Sequence, residues 1–417
     1  MAHRTFLIPL LALACLFAGQ GLPAQTTPVA GPFEVSPRSY GFDDPSDFVS
    51  YSTLPPSLAA LADGRFMVAW DQSLWVQGVE GSQYFFDLYT REIGADGRPG
   101  PLKLAFRGNH DYFPGIPAIA GDGLGGFTLA WDLLPSYDSE IHFQTISSGR
   151  FDDGPVSEGS HGGVESPAVA VHSTSTWAAA WERWFDSDGD ELSDGEPRYI
   201  GLRTFHVFGE PFSPTIEIKP ADPNVILTGS RVAVMADRFM VIWEASGGPR
   251  PPVLQGRLFA LDGTPLSPVF QAGRLLGTTW EVLTDEVGGF WVVWQSPSTT
   301  GPLIRISHYS PDGLRLGSAR LGASSGPWRI HMNRRGEMAF VWTEPDGRVL
   351  LQVLDRFLVP RGKRQRVLRT VDGRWEGDVA IGDTGRVLVV WTGLHDVTTP
   401  NGDTLQPLIG KLWQVEE

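Results

Sequence analysis

Ile330–Trp342 reads IHMNRRGEMAFVW: a short apolar segment, a turn holding Gly336, a second apolar run and a closing Trp. The same plan returns six more times. It is SLAALADGRFMVAW ending at Trp70, AIAGDGLGGFTLAW at Trp131 and AVAVHSTSTWAAAW at Trp181. RVAVMADRFMVIW ends at Trp243, VLTDEVGGFWVVW at Trp294 and DVAIGDTGRVLVVW at Trp391. Apolar runs this short, β-branched or aromatic and broken by Gly, lack the 3.6-residue spacing of a helix face and read as paired strands.

The seven tryptophans are separated by 61, 50, 62, 51, 48 and 49 residues. One four-stranded propeller blade takes roughly 40–50 residues, and insertions lengthen some. Each copy supplies strands a and b. A third strand follows, as in LQGRLFALDG (Leu254–Gly263) and IRISHYSPDG (Ile304–Gly313), and then a fourth. Asp96-Gly97, Asp262-Gly263 and Asp312-Gly313 mark the c–d turn and predict a two-residue hairpin with positive φ at both positions.

The ends complete the count. After Trp391 only one more strand fits, PLIGKLWQVEE, while GPFEVSP (Gly31–Pro37) near the N-terminus resembles GPLKLAF and SPTIEIK of other blades. The expected fold is therefore all-β, a single seven-bladed β-propeller of four-stranded blades, closed by pairing the N-terminal strand with the C-terminal blade. That clasp leaves no open radial edge. Blades are expected at about 55–115, 116–165, 166–227, 228–277, 278–326, 327–373, and 374–417 plus 31–37.

Residues 1–24 have a basic start at Arg4, an apolar run from Phe6 to Ala18 and a small-residue end at Ala24. This is the layout of a secretory signal peptide, too short to span a bilayer, and it predicts a secreted or periplasmic protein. The one cysteine, Cys15, offers an alternative, a lipid anchor, although Ala12 stands where a lipobox carries Leu. Cleavage after Ala24 removes one arginine and no acid, taking the net charge from −15 to −16. Such a chain repels phosphate backbones, which argues against nucleic-acid binding. No transmembrane segment and no oligomerisation signal stand out, so a monomer is expected.

These repeats, with their G-x-apolar-apolar-apolar-W core, resemble secreted bacterial seven-bladed propeller proteins that are poorly characterised. The resemblance implies architecture and no particular activity. Neither the Gly-His and Trp-Asp pattern of WD40 repeats nor the Ser-x-Asp-x-Gly-x-x-x-Trp box of sialidase propellers is present as a repeated set.

Three groups of residues are candidates for function. Asp186, Asp188, Asp190 and Asp194 hold positions one, three, five and nine of DSDGDELSDGE, with Glu196 as a late ligand. Alternating carboxylates of this kind converge oxygens on Ca2+. The spacing resembles the loops of EF-hands and integrin-type blades, but Glu191 replaces the usual glycine, so a solvated acidic loop fits as well. The second group follows the repeat Trp: Asp71, Asp132, Glu182 and Glu244 on four adjacent blades, offered to the top face either as ligands or as solvated loop starts. The third is Trp280, Trp328 and Trp375, at or near a junction that holds Pro56, Pro117 and Pro167 in earlier blades. Indoles there either form an arc that stacks on sugars or anchors a protein partner, or pack between blades.

No metal-helix, phosphate-loop or nucleophile-elbow motif occurs. Ser160-His161 and His110-Asp111 are isolated pairs, and His331 lies on a channel-lining strand. The function expected is an exported binding or scaffolding propeller recognising carbohydrate or an extracellular protein on its top face. The alternative is a polysaccharide hydrolase or lyase using top-face carboxylates.

Overall fold

The computed structural model describes residues 25–36, 48–53, 55–78, 81–108, 113–134, 139–147, 150–157, 163–173, 176–184, 198–206, 209–247, 251–277, 279–286, 288–299, 301–323, 326–370, 375–393, 397–398, 404–405 and 407–416. The signal segment with Cys15, the acidic loop Asp186–Glu196, His110-Asp111 and Ser160-His161 lie outside these residues. Seven sheets succeed one another around the ring, antiparallel but for one bridge in the first. Strand a of blades 1 to 7 is Ser57–Ala60, Ala118–Gly121, Val164–Val171, Ile226–Val234, Trp280–Thr284, Trp328–Met332 and Gly377–Ile381. Each pairs with the b strand that carries the repeat tryptophan.

The ring closes as the repeat count predicts. Thr26–Glu34 pairs antiparallel with Leu408–Val415, which pairs with Arg386–Thr392 and, through it, with Gly377–Ile381. The clasp runs from Thr26 opposite Val415 to Glu34 opposite Ile409, and Val35 N–H continues it to the Leu408 carbonyl at 2.7 Å. All seven repeat tryptophans are buried in the clusters between blades. Truncating one to Ala costs about 3–5 kcal/mol in a packed core, so the period of the sequence is a period of stabilisation.

Two features depart from the expectation. The c–d turns are longer than two residues. At Ala260–Thr264 the Gly263 N–H donates to the Ala260 carbonyl at 2.9 Å, and the Ala260 N–H to the Thr264 carbonyl at 2.8 Å. Only Gly263 has positive φ, 88°, while Asp262 accepts the Thr264 N–H. Asp-Gly thus builds a three-residue turn with a glycine bulge, in which the Asp serves as a cap. In blade 6 Leu358 fills the bulge position, at φ 64°.

Blade 1 also outgrows its repeat. Its b and c strands, Phe66–Gly78 and Gly81–Ile93, pair well beyond Trp70, and Phe48–Thr53 joins them along Gln72–Gln77. Thr404, inserted between strands b and c of blade 7, pairs in parallel with Ser50. Among the described residues no helix is long and apolar enough to cross a membrane.

Candidate functional site

The strand a–strand b register places one residue of every blade at a common level near the channel mouth. Ser57, Ala118, Ala168, Arg231, Glu281, Arg329 and Asp378 each lie opposite the residue before the repeat tryptophan. Blades 1 to 3 are small here and blades 4 to 7 are charged, with alternating sign. The channel keeps its width on one side and gathers its chemistry on the other. Its cavity has a volume of about 480 Å3.

Arg231 Nε approaches Glu281 Oε1 at 3.3 Å, and its Nη1 donates to the Ser230 carbonyl at 2.9 Å. Arg329 Nη1 donates to the Trp328 carbonyl at 2.9 Å. Asp378 Oδ2 accepts the Leu58 N–H at 2.9 Å, joining blade 7 to blade 1 across the closure. Burial raises the Asp378 pKa to about 6, against the opposing pull of Arg329 and of backbone N–H groups, while Glu281 adds to the rise. The carboxyl therefore exchanges protons in the mildly acidic range while lining a cavity.

One level down the channel the wall is Ala120, Ala170 and Ala233, then Leu283 and His331, while Ala59 and Ala380 at the matching register are buried between blades. His331 is the polar exception. Its Nδ1 accepts the Ile381 N–H at 3.3 Å, which leaves the proton on Nε2. Burial lowers its pKa to about 4, with Asp383 pulling the other way, so it is a neutral imidazole.

Two links run across the base. Arg334 of blade 6 binds Asp383 through Nε at 2.6 Å and reaches the Gly123 carbonyl of blade 2 at 3.2 Å. A Cβ on Gly123 would stand 2.8 Å from the Arg334 guanidinium carbon, at φ +67°, so that approach needs glycine. Glu286 of blade 5 accepts from Ser173 of blade 3, from N at 3.3 Å and Oγ at 2.8 Å, and lies 3.5 Å from His172 Nε2. Gly123, Glu286, Arg334 and Asp383 line the cavity and form its floor.

The tryptophan arc takes a different place from an open platform. Trp280, Trp328 and Trp375 are 5%, 1% and 3% exposed, their faces taken up by interblade packing. Trp280 Nε1 donates to the Gly229 carbonyl at 2.7 Å, and Trp375 Nε1 to the Pro327 carbonyl at 3.3 Å.

Two of the acids that follow the repeat tryptophans are tied to the next blade. Glu182 accepts the Gly229 N–H of blade 4 at 2.7 Å and pairs with Arg198 at 3.3 Å. Asp132 accepts a backbone hydrogen bond from Ser166 of blade 3. Ser166 and Gly229 occupy matching bulges with φ of 53° and 63°. Burial raises both carboxyls, Asp132 to about 6, and Glu165 adds repulsion to each. The structure thus brings Asp132, Glu165 and Glu182 together, while Asp71 and Glu244 stand on blades 1 and 4 to either side.

The fold and channel define a seven-bladed propeller with a charged, floored cavity. No known protein-family profile matches the chain, and no curated protein sequence matches it. Among solved structures it is similar to the GH93 α-L-arabinofuranosidase of Fusarium graminearum in complex with arabinobiose. Identity is 10% over 91% of this chain and 97% of that one, with a TM-score of 0.45. It is similar to the NanB sialidase of Streptococcus pneumoniae at 8% identity over 93% and 99% of the two chains, TM-score 0.47. A protein of unknown function from Dyadobacter fermentans gives 13% identity over 74% and 96%, TM-score 0.47. Likeness at these levels assigns neither activity nor residues to this chain.

Proposed function

We propose that the chain is an exported hydrolase of polysaccharide that works in the mouth of the channel, with Asp378 as general acid and Glu281 as the second carboxylate. The observation that supports it is the pairing of a cavity-lining carboxyl whose pKa is raised to about 6 with another carboxylate two blades away, ringed by Arg231 and Arg329. Asp378 would protonate the departing glycosidic oxygen. Glu281 would take a proton from the attacking water or stabilise the cationic sugar carbon. Such pairs act at separations of roughly 5–10 Å.

The test is product release from a panel of neutral and acidic polysaccharides by residues 25–417. Asp378→Asn and Glu281→Gln should each lower the rate about 100-fold or more, the usual weight of a general acid or base. Turnover unchanged in both variants, or none with any substrate, overturns the assignment.

Glu281 is already paired with Arg231, which favours a second reading, recognition of carbohydrate or an extracellular protein without turnover. Binding that survives in Asp378→Asn, with no product from wild type, would establish that reading instead. A Ca2+ ion held by Asp186, Asp188, Asp190, Asp194 and Glu196 would order the b–c insertion of blade 3.

A further inference from the structure

The whole-chain charge of −15 hides one strongly basic region. From Arg356 to Arg369 the sequence RFLVPRGKRQRVLR carries Arg356, Arg361, Lys363, Arg364, Arg366 and Arg369 and no acid. It forms the c–d turn and outer strand of blade 6, Pro360–Arg369, and Arg315 and Arg320 stand on the outer strand of blade 5, Arg315–Ala323. Arg361 and Arg356 are spent on Glu337 and Asp285. Arg315, Arg320, Lys363 and Arg366 are exposed and have no acidic partner among the described residues, while Arg369, also exposed, faces Asp346. The two turn acids are committed: Asp312 to Arg238 at 2.8 Å, and Asp355 to the N–H groups of Phe357 and Val359.

The same two hairpins hold the most exposed large apolar side chains described. Phe357 is 78% and Leu314 69% exposed, with Leu316 and Val359 beside them. Charges on an edge strand are a general guard against edge-to-edge pairing. That guard does not call for five cations on the single strand Pro360–Arg369 when the outer strands of blades 2, 3 and 7 carry acids, and it gives no reason for a bare Phe at the turn tip. Cations flanking protruding aromatic and aliphatic tips match a bilayer interface. Lipid phosphates meet the cations there, and the tips leave water for the headgroup region. A soluble polyanion would gain nothing from the tips. Screening within about 8 Å at physiological salt confines the repulsion of the acidic remainder to its own faces.

We propose that the c–d hairpins of blades 5 and 6 dock this propeller on an anionic bilayer surface, with Leu314 and Phe357 as the inserting tips. The experiment is co-sedimentation of residues 25–417, which contain every blade, with vesicles. Phosphatidylcholine containing phosphatidylglycerol is compared with phosphatidylcholine alone. Binding should occur only with the anionic vesicles and weaken with salt. Lys363→Gln with Arg366→Gln should reduce it about 25-fold, or about fivefold for each charge. Phe357→Ser with Leu314→Ser should also weaken it but leave its salt dependence unchanged. All four side chains are exposed, so circular dichroism should stay that of wild type. Equal or no binding to the two vesicle types overturns the proposal. So does binding to heparin without binding to vesicles, which would move the surface to a soluble polyanion.

Discussion

His331→Gln tests the electrostatics of the channel directly. Gln can still accept the Ile381 N–H that His331 Nδ1 holds at 3.3 Å, but it does not titrate. In the folded protein burial keeps the imidazole neutral until about pH 4, whereas an unfolded histidine protonates near 6.5. Between those values the unfolded chain carries a proton that the folded one refuses. Wild-type stability relative to the variant therefore falls as pH drops through 6.5 and levels off below 4. At about 1.4 kcal/mol per pH unit the gap amounts to about 3 kcal/mol, and channel water reaching the ring lowers this figure. Asp132 and Asp378 act in the opposite sense. Their folded pKa values, raised to about 6 from 3.8, give stability that is full below 3.8 and lost as pH rises through 6. Since both proteins share those acids, the difference between them isolates His331. Urea unfolding followed by tryptophan fluorescence from about pH 7 to about pH 4 measures it. Two curves that stay parallel throughout would refute a buried neutral His331.

Gly123→Ala should destabilise by about 1–3 kcal/mol, because the new Cβ meets Arg334 and the φ of +67° disfavours any side chain. The check is a shifted urea midpoint with unchanged m-value. Removing residues 25–36 strips the partner from Leu408–Val415 and bares that edge. Loss of cooperative unfolding, or self-association on gel filtration, is the expected result. If hydrolysis proceeds as proposed, kcat/KM should fall as pH rises above about 6, following deprotonation of Asp378, and a pH–rate profile shows it. Calcium should raise the melting temperature through the Asp186–Glu196 loop, by about 2.7 kcal/mol of stabilisation at a hundredfold excess over Kd. A scan with calcium and with chelator reads this, and identical curves would count against the ion.

The propeller was legible because its evidence is repeated. A tryptophan recurring with a Gly turn before it reports one structural position seven times over. The likeness of GPFEVSP to GPLKLAF reports a strand displaced to the other end of the chain. Features that occur once were illegible. Phe48–Thr53 follows no repeat, and its partners, Gln72–Gln77 and Thr404, lie on either side of the closure. Asp-Gly in the c–d turns predicts a pair of positive-φ residues. The dipeptide alone does not distinguish that turn from one in which glycine takes the strain and Asp caps the backbone.

The channel charges are illegible for the opposite reason: the position is regular but its residues are not. Ser57, Ala118, Ala168, Glu281, Arg329 and Asp378 all stand thirteen residues before the repeat tryptophan, and Arg231 stands twelve before it. A search for recurring residue types passes over such a column, whereas counting back from each tryptophan finds it. The same register explains the tryptophan arc. Trp280 pairs with Trp294 and Trp328 with Trp342, and residues directly opposite on neighbouring antiparallel strands share a sheet face. A side chain across from a core tryptophan is therefore core, whatever loop precedes it. The residue after it points to the other face, and in blades 5 and 6 that residue is Glu281 or Arg329. In those two blades the indole occupies the position next to the charge.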